Sequence, residues 1–181
     1  MGEPKALLDA GGQTFLARIL TSLREGGADP LIVVVRELND PIAREARAHG
    51  ATVVLNPDPS TGPVSSLQAG IRSLSKEAPG LLFAPVDHPL FAPATVRSLL
   101  EGFAETGAPL IVPAFEGWRG HPVFFGRDLF PELLEENLPE GARTVVRRYL
   151  EKRVQLEVQD TGILTDIDTP EEYRKHFSRE Q

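Results

Sequence analysis

The sequence predicts an α/β protein in which a mostly parallel sheet is covered by helices. Short apolar runs of the strand type alternate along the chain with stretches whose apolar residues recur at helical spacing. The chain has 181 residues, of which 41% are hydrophobic, so it can bury a core of its own. No internal repeat or long linker divides it, and residues 1–181 are therefore predicted to form a single domain.

The elements of the first half are predicted from apolar spacing and from local start and stop signals. A run of apolar residues without interruption is typical of a strand buried on both faces. Proline is favoured at the first helical position because its missing N–H is not needed there. These rules predict a helix at 14–25, a strand at 31–35, a helix that opens at Asp40-Pro41 and ends at Gly50, a strand at 52–55 and, after a proline-rich loop, a helix at 65–75.

The second half continues the alternation. Strands are predicted at 81–86, 110–112, 123–125 and 154–158, and helices at 93–105, 128–136 and 142–152. The last helix has the clearest start signal. Thr169 precedes a proline and is followed three residues later by Glu172, which is the pattern of a capping box.

Charge and composition exclude several classes of protein. The net charge of -7, from 26 acidic and 19 basic residues, argues against nonspecific nucleic-acid binding, which requires a basic face. The absence of cysteine excludes disulfides and thiolate zinc sites. No apolar run approaches the roughly 20 residues that span a bilayer, and no export signal opens the chain, so we expect a cytoplasmic protein without membrane contact.

Carboxylates follow one of the predicted strands and form a pair near the C-terminus. Asp87 comes directly after strand 81–86, at the edge where open parallel sheets bind ligands, and it can cap a loop or hold a cation. Asp166 and Asp168 should point the same way, with Ile167 in the core. Two neighbouring carboxylates repel each other unless a cation is near, which favours a metal role for at least one of them.

Two further segments have both a structural and a functional interpretation. Lys5 can be a solvated surface lysine or can neutralise a triphosphate. Ser65 and Ser66 can belong to a turn that caps a helix or can contact a nucleotide, and their spacing alone favours the first interpretation. The four histidines show no zinc-ligand spacing, and the sequence contains no complete phosphate-loop or GxGxxG motif.

Several short motifs are arranged in one order from end to end of the chain. They are 1–8 with 11–16, 65–67 with Gly70, 86–89, 119–123, 141–143, 162–164 and 166–172. In this order the chain resembles the molybdenum-cofactor nucleotidyltransferases, the MobA-like NTP transferases. The segments at 119–122, 141–143 and 166–172 look most like the cytidylyltransferase branch, whereas Gly62-Pro63 is closer to the guanylyltransferase branch.

The resemblance implies a three-layer αβα, Rossmann-like fold of the nucleotide-diphospho-sugar transferase type. It implies an enzyme in which a substrate phosphate attacks the α-phosphate of CTP or GTP and releases pyrophosphate. The expected acceptor is a phosphorylated small molecule such as molybdopterin cofactor, and transient contact with a molybdoenzyme is expected by analogy. Such a transfer depends mostly on positioning and charge neutralisation.

The resemblance also assigns roles to individual residues. Mg²⁺ is the implied cofactor, held by Asp87 with Asp168 as the second carboxylate. The catalytic residues would be Lys5, which neutralises the nucleotide phosphates, and Asp87. The remaining implied contacts are Ser65 and Ser66 near the nucleotide and Arg119, His121 and Arg143 on the acceptor side.

The sequence departs from the family pattern at Met1. Family members have a strand and a glycine-rich loop ending in Arg before the Met-Gly that opens this chain. Without that first strand we expect unpaired edges on strands 31–35 and 81–86 and fewer backbone N–H donors for the phosphates. We therefore expect impaired activity from residues 1–181 by themselves.

Three functions are compatible with these observations. The leading hypothesis is transfer of CMP to a molybdopterin-type cofactor. The second is transfer of GMP, or transfer to another phosphorylated acceptor. The third is a noncatalytic accessory protein that binds a nucleotide or cofactor on the same scaffold.

Overall fold

The computed structural model describes residues 4–177. Met1, Gly2 and Glu3, which open the first motif, lie outside the described residues. The α-helices are α1 Phe15–Glu25, α2 Pro41–Ala48, α3 Pro63–Ser73, α4 Pro93–Thr106, α5 Phe130–Leu133, α6 Ala142–Arg148 and α7 Pro170–Phe177. The strands are β1 Ile32–Val35, β2 Thr52–Leu55, β3 Gly80–Phe83, β4 Leu110–Phe115, β5 Trp118–Arg119, β6 Val123–Gly126 and β7 Val154–Glu157. Short 3-10 helices cover Lys5–Leu7, Pro59–Thr61, Arg127–Leu129 and Thr161–Leu164.

The α/β class is confirmed, but the strand pairing is more mixed than the mostly parallel sheet that we predicted. Strands β1–β2 and β4–β7 are parallel, whereas β3–β6, β4–β6 and β4–β5 are antiparallel. The reversal begins at Glu116 and Gly117, whose positive φ angles of 51° and 81° form a tight turn between β4 and β5. The chain then returns as β6 between β3 and β4 without a crossover helix.

Helices cover both faces of the larger sheet and give the predicted three layers. Side chains alternate between the faces because successive residues of a strand point to opposite sides. One face buries Ile111 and Phe124 against Leu99 of α4. The opposite face buries Leu110 and Phe125 in a cluster that also contains residues of α3, α5 and α6.

The sheet is divided into two pieces, with strands β1 and β2 in the smaller one. Among residues 4–177, β1 pairs with β2 and β3 pairs with β6, and no strand joins β1 to β3. This agrees with the unpaired edges expected for strands 31–35 and 81–86. Helix α3 lies against both pieces: it contacts β1, where a Cβ atom at Gly70 would lie 3.6 Å from Val34, and Leu67 packs in the core of the larger sheet.

Three predicted elements are shorter than expected, and one of them is the helix predicted at 142–152, which ends at Arg148. The strand predicted at 81–86 ends at Phe83, because Pro85 has no N–H to donate to a neighbouring strand. The helix predicted at 128–136 is reduced to a 3-10 turn and the single turn of α5. The Gln68 amide donates to the carbonyls of Leu133 and Glu135 at 3.0 Å, and thus satisfies groups that a longer helix would have used.

In the part of the chain that the structure describes, no helix has the length and apolar character needed to cross a bilayer. The cytoplasmic location stays a prediction from the sequence.

Candidate active site

Two distant segments, 87–95 and 160–168, lie side by side and form the base of the site. The backbone N–H of Ile167 donates to the carbonyl of Asp87 at 2.9 Å. Further along, the Asp160 carboxylate accepts from Ala92 N at 2.7 Å and from the Thr95 hydroxyl at 2.6 Å. Because Ile167 is fully buried, the two aspartates that flank it are held next to Asp87.

The close approach of the two segments requires glycine at position 162. A Cβ atom built there would lie 2.1 Å from the backbone carbonyl oxygen of Leu90. The carbonyl oxygen belongs to the main chain and a Cβ atom is fixed to its own Cα, so neither atom can rotate away as the end of a flexible side chain would. Any larger residue at 162 would therefore push the two segments apart.

Asp87, His88 and Asp166 bring potential metal ligands together. One ligand atom from each of the three residues lies within 4.8 Å of the others. The Oδ1 atom of Asp87 is buried and has no hydrogen-bond partner among residues 4–177. An unsatisfied buried carboxylate oxygen costs on the order of 1–3 kcal/mol or more, which makes this oxygen a candidate ligand atom for a cation.

Asp166 experiences the negative charge of its neighbours. Partial burial raises the pKa of Asp166, and the charges of Asp87 and Asp168 raise it further. The charges of His88 and Lys5 act in the opposite direction. Repulsion of this kind is relieved when a cation binds between carboxylates. Two carboxylates and an imidazole therefore form a donor set that fits a divalent ion.

Lys5 and Asp168 form an ion pair at the edge of this cluster. Partial burial lowers the pKa of Lys5, but the hydrogen bond that Lys5 donates to Asp168 and the charges of Asp168, Asp87 and Asp166 outweigh it, and the net pKa is raised. The side chains of Lys5 and Asp168 remain 30% and 58% exposed. Because solvent reaches the pair, Asp168 can be exchanged for another anion at modest cost.

His121 lies next to His88 and close to Arg143. The two imidazole rings are 4.6 Å apart between centroids. Burial lowers the pKa of His121 to about 4, and the charges of His88 and Arg143 add to the effect, although a backbone hydrogen bond at Phe83 opposes it. His121 is therefore neutral at neutral pH, and Arg143 supplies the positive charge on this side.

The hydroxyl groups of Ser65 and Ser66 both accept hydrogen bonds from the buried side-chain amide of Asn56. The side-chain nitrogen of Asn56 donates to the Ser65 hydroxyl at 2.8 Å and to the Ser66 hydroxyl at 3.1 Å. The Ser65 hydroxyl donates in turn to the Gly62 carbonyl at 2.7 Å. Ser65 is thus buried and engaged with protein partners, whereas Ser66 lines an adjoining cavity.

Two cavities share Asn56 at the carboxyl ends of β1 and β2. The smaller, of about 140 Å³, is lined by Arg36, Asn56, Gly62 and Ser66, among others. The larger, of about 640 Å³, extends from Asn56 towards the 136–139 loop and also includes Ser65. The larger volume is in the range of small-molecule sites.

The residues predicted from the sequence fall into groups. Lys5, Asp87 and Asp168 come together, and His121 comes together with Arg143 beside them. Arg119 is exposed on β5, where its charge acts on Arg153. Each of these roles stays a prediction.

Sequence reasoning did not select Arg36, Asn56 or His88, and it left the role of Asp166 open. Arg36 and Asn56 follow β1 and β2 directly. The rule that ligands bind at the carboxyl ends of strands would have found both of them.

An α/β fold that brings several carboxylates and a lysine into one cluster, and that also has a cavity of small-molecule size, fits the class of nucleotidyltransferases. Comparison with known sequences narrows this class. Residues 1–154 match the MobA-like NTP transferase domain, and the chain belongs to this family.

Three similar proteins illustrate the range of the family. A molybdenum cofactor guanylyltransferase of Rhizobium meliloti (strain 1021) is 30% identical over 192 residues, which cover 97% of this chain and 84% of the relative. The purine catabolism protein PucB of Bacillus subtilis (strain 168) is 32% identical over 118 residues, covering 64% of this chain and 56% of PucB.

The third is Rv0371c of Mycobacterium tuberculosis H37Rv, for which solved structures exist. One crystal structure of Rv0371c is 27% identical in sequence to this chain and superposes with a TM-score of 0.79. The match covers 97% of this chain and 89% of that chain. The structure of its complex with manganese has a TM-score of 0.78 and covers 98% of this chain and 94% of that chain. The fold predicted from the sequence is thereby confirmed.

Proposed function

We propose that the chain transfers CMP from CTP to a phosphorylated acceptor of the molybdopterin type, with release of pyrophosphate and with Mg²⁺ as the divalent ion. The observation that carries the proposal is the convergence of Asp87, Asp166 and Asp168 on Lys5, next to an unsatisfied carboxylate oxygen. Carboxylates with a lysine beside them are suited to phosphate chemistry, in which charge must be neutralised.

Asp87 and Asp166 would hold the divalent ion, with Asp168, the second ligand expected from the resemblance, beside them. The bound ion would supply charge neutralisation to the nucleotide phosphates. The hydrogen bond from the backbone N–H of Ile167 to the backbone carbonyl of Asp87 keeps the carboxylates in place before any ligand binds. Preorganisation of this kind lowers the cost of binding.

Lys5 would neutralise the phosphates by exchanging its partner. In the free protein its ammonium group is paired with the exposed Asp168. A triphosphate carries more charge than one carboxylate, so it would compete for the lysine and release Asp168 towards the divalent ion. The raised pKa of Lys5 keeps the group protonated at neutral pH.

The nucleoside would occupy the cavities at the ends of β1 and β2. Arg36 and Ser66 line the smaller cavity and could contact the ribose or base. Asn56 lines both cavities, and Ser65, which accepts its hydrogen bond, lines the larger one. Ser65 would act mainly by holding the loop in shape, since its hydroxyl already has two protein partners.

The acceptor would approach from the side of His121, Arg143 and Arg119. Arg143 and Arg119 would attract its phosphate, and the neutral His121 would offer a hydrogen bond without adding charge. An oxygen of the acceptor phosphate forms a bond to the α-phosphorus, and the bond to the bridging oxygen of pyrophosphate breaks. Lys5 offsets charge on the departing pyrophosphate.

Transfer of GMP is the second candidate. It is supported by the relative from Rhizobium meliloti, whose name is molybdenum cofactor guanylyltransferase. CMP is supported by the motifs at 119–122, 141–143 and 166–172 that resemble the cytidylyltransferase branch. Pyrophosphate release measured with each nucleotide at equal concentration distinguishes the two, and competition by the other nucleotide gives the affinity ratio.

A molybdoenzyme that receives the product would be a transient partner.

The test of the enzyme proposal is the isosteric change Asp87→Asn. We expect pyrophosphate release in the presence of Mg²⁺, CTP and molybdopterin to fall by about 10³-fold, as expected when a major source of transition-state charge stabilisation is lost. The matched control is Glu101→Gln, an equally conservative change at an exposed position of α4, which should leave the rate unchanged.

Other outcomes would contradict the proposal. Turnover of the Asp87→Asn variant at the rate of the parent protein would exclude Asp87 from catalysis. Tight binding of a nucleotide without turnover, unaffected by Asp87→Asn, would instead favour the noncatalytic accessory protein.

A further inference from the structure

We infer that one imidazole nitrogen of His88 is a third protein ligand of the divalent ion and makes the site bind Mn²⁺ more tightly than Mg²⁺. The inference rests on the proposed function, because it concerns the ion that would serve nucleotidyl transfer. It changes the donor set from oxygen alone to oxygen with one nitrogen.

The position of His88 supports this role. Its ligand atom lies within 4.8 Å of those of Asp87 and Asp166. Ligands of a small divalent ion bind at about 2.1 Å and so lie about 3–4 Å from one another. The three atoms therefore already lie within about 1 Å of the spacing that a bound ion requires.

Unsatisfied polar atoms provide independent support. Nδ1 of His88 is buried without a hydrogen-bond partner among residues 4–177, and the same is true of Oδ1 of Asp87. Each such atom costs on the order of 1–3 kcal/mol. A cation between the two side chains would give these neighbouring residues a common partner, which the surrounding protein does not provide.

The charges around His88 favour a cation. The negative carboxylates of Asp87 and Asp166 each have a ligand atom within 4.8 Å of a nitrogen of His88. The ring that contacts His88 belongs to His121, with 4.6 Å between the two ring centroids. Lys5, the ammonium group of this cluster, is ion-paired with Asp168.

The chemistry of the donor set leads to Mn²⁺. Mg²⁺ prefers oxygen ligands throughout, and imidazole adds little to its affinity. Mn²⁺ accepts the same octahedral oxygen environment and also binds imidazole nitrogen, and divalent transition metals gain affinity from such ligands. A site with two carboxylates and one imidazole therefore retains Mg²⁺ binding and adds affinity for Mn²⁺.

The first experiment compares the full chain with a His88→Asn variant, in which an amide oxygen replaces the ring nitrogen. The dissociation constant for Mn²⁺ is measured from the electron paramagnetic resonance signal of free Mn²⁺, and that for Mg²⁺ from its displacement of Mn²⁺. We expect Mn²⁺ to bind at least about tenfold more weakly to the variant, with Mg²⁺ affinity changed by less than about threefold. Loss of a second-shell partner alone costs about 10–100-fold in metal affinity, so a direct ligand should cost at least the lower value.

His49→Asn is the matched control, because His49 lies at the C-terminal end of α2 and makes its closest charged contact with Glu45. This variant should retain both dissociation constants. Circular dichroism of the variants checks that neither change unfolds the protein.

A second readout observes the nitrogen directly. Electron spin echo modulation of bound Mn²⁺ should contain nitrogen couplings in the parent protein and in a His121→Asn variant, and these couplings should be absent from His88→Asn. Nitrogen couplings that persist in His88→Asn, or an unchanged ratio of the two dissociation constants, would overturn the inference.

These results are separable from the proposed function. Nitrogen coupling without any nucleotidyl transfer would retain the metal ligand and reject the enzyme. Transfer that depends on Asp87 without nitrogen coupling would retain the enzyme and reject His88 as a ligand.

Discussion

The two pieces of the sheet are built differently, and the difference corresponds to two tasks. In the larger piece, β6 is buried at every position and β4 at all but its last, and main-chain contacts fix segment 160–168 against 87–95. In the smaller piece both strands are partly exposed, and the side chain of Asn56 organises the loop that follows. We interpret the first as a rigid holder for an ion and the second as an adaptable wall for a nucleotide.

This comparison predicts that changes near the larger sheet mainly reduce stability and metal affinity. Changes near the smaller sheet should mainly reduce nucleotide affinity. The following variants test this difference, from the largest expected effect to the smallest.

Gly162→Ala should have the largest effect on stability. The added methyl group would meet the Leu90 carbonyl at 2.1 Å, so the main chain must move. We expect a loss of about 3 kcal/mol in the free energy of unfolding, measured with urea, and weaker divalent-ion binding. Gly70→Ala is the control: its methyl group would meet Val34 at an ordinary 3.6 Å, and alanine favours the helix, so stability should be equal or higher.

The free energy of unfolding should depend on pH because the pKa of His121 is lowered in the folded protein. Its pKa is lowered from 6.5 to about 4 in the folded state, chiefly by burial, so the unfolded chain binds more protons between these values. The contribution of His121 to the free energy of unfolding is fully present above pH 6.5 and is lost as the pH falls towards 4. The total loss is at most about 3 kcal/mol. Urea titrations with a chelator present, repeated for His121→Asn, should give a flatter profile for the variant. An equally steep profile would show that other groups cause the loss.

Asp160→Asn should have a smaller effect in the same region. The carboxylate accepts hydrogen bonds from Ala92, Thr95 and the N–H of Gly162, and an amide can serve only part of this set. We expect about 2 kcal/mol of destabilisation by thermal or urea unfolding. Asp128→Asn, an exposed position in a 3-10 turn, should remain near the parent value.

Asn56→Ala tests the smaller sheet. Loss of its bonds to Ser65 and Ser66 should lower nucleotide affinity about tenfold, which corresponds to about 1.4 kcal/mol. Calorimetry without nucleotide should find metal binding unchanged, and Asn39→Ala, at an exposed position, should alter neither. Weakened metal binding in Asn56→Ala would contradict the proposed division of tasks.

Local signals in the sequence predicted several features correctly. The Glu172 carboxylate accepts from the Thr169 N–H at 2.8 Å, and Thr169 accepts from the Glu172 N–H at 3.2 Å, as the capping box requires. The burial of Ile167 follows from alternation along an extended segment. These features depend on residues within a few positions of one another.

Features that depend on distant residues could not be predicted in this way. Asp166 and Asp168 have equivalent positions in the sequence pattern, and they differ because Lys5, from the other end of the chain, pairs with Asp168. His88 becomes a candidate ligand because Asp166 lies beside it. The antiparallel position of β6 between β3 and β4 likewise depends on which strands pair, and apolar patterns do not specify pairing.

The central claim is that Asp87 and Asp166 share one divalent ion, and a double-mutant cycle tests it most directly. Calorimetric Mn²⁺ affinity is measured for the parent protein, Asp87→Asn, Asp166→Asn and the double variant. If the carboxylates share an ion, each single change should weaken binding at least about tenfold and the double variant should lose much less than the product of the two. Unchanged affinity in either single variant, or losses that simply multiply, would contradict a shared site.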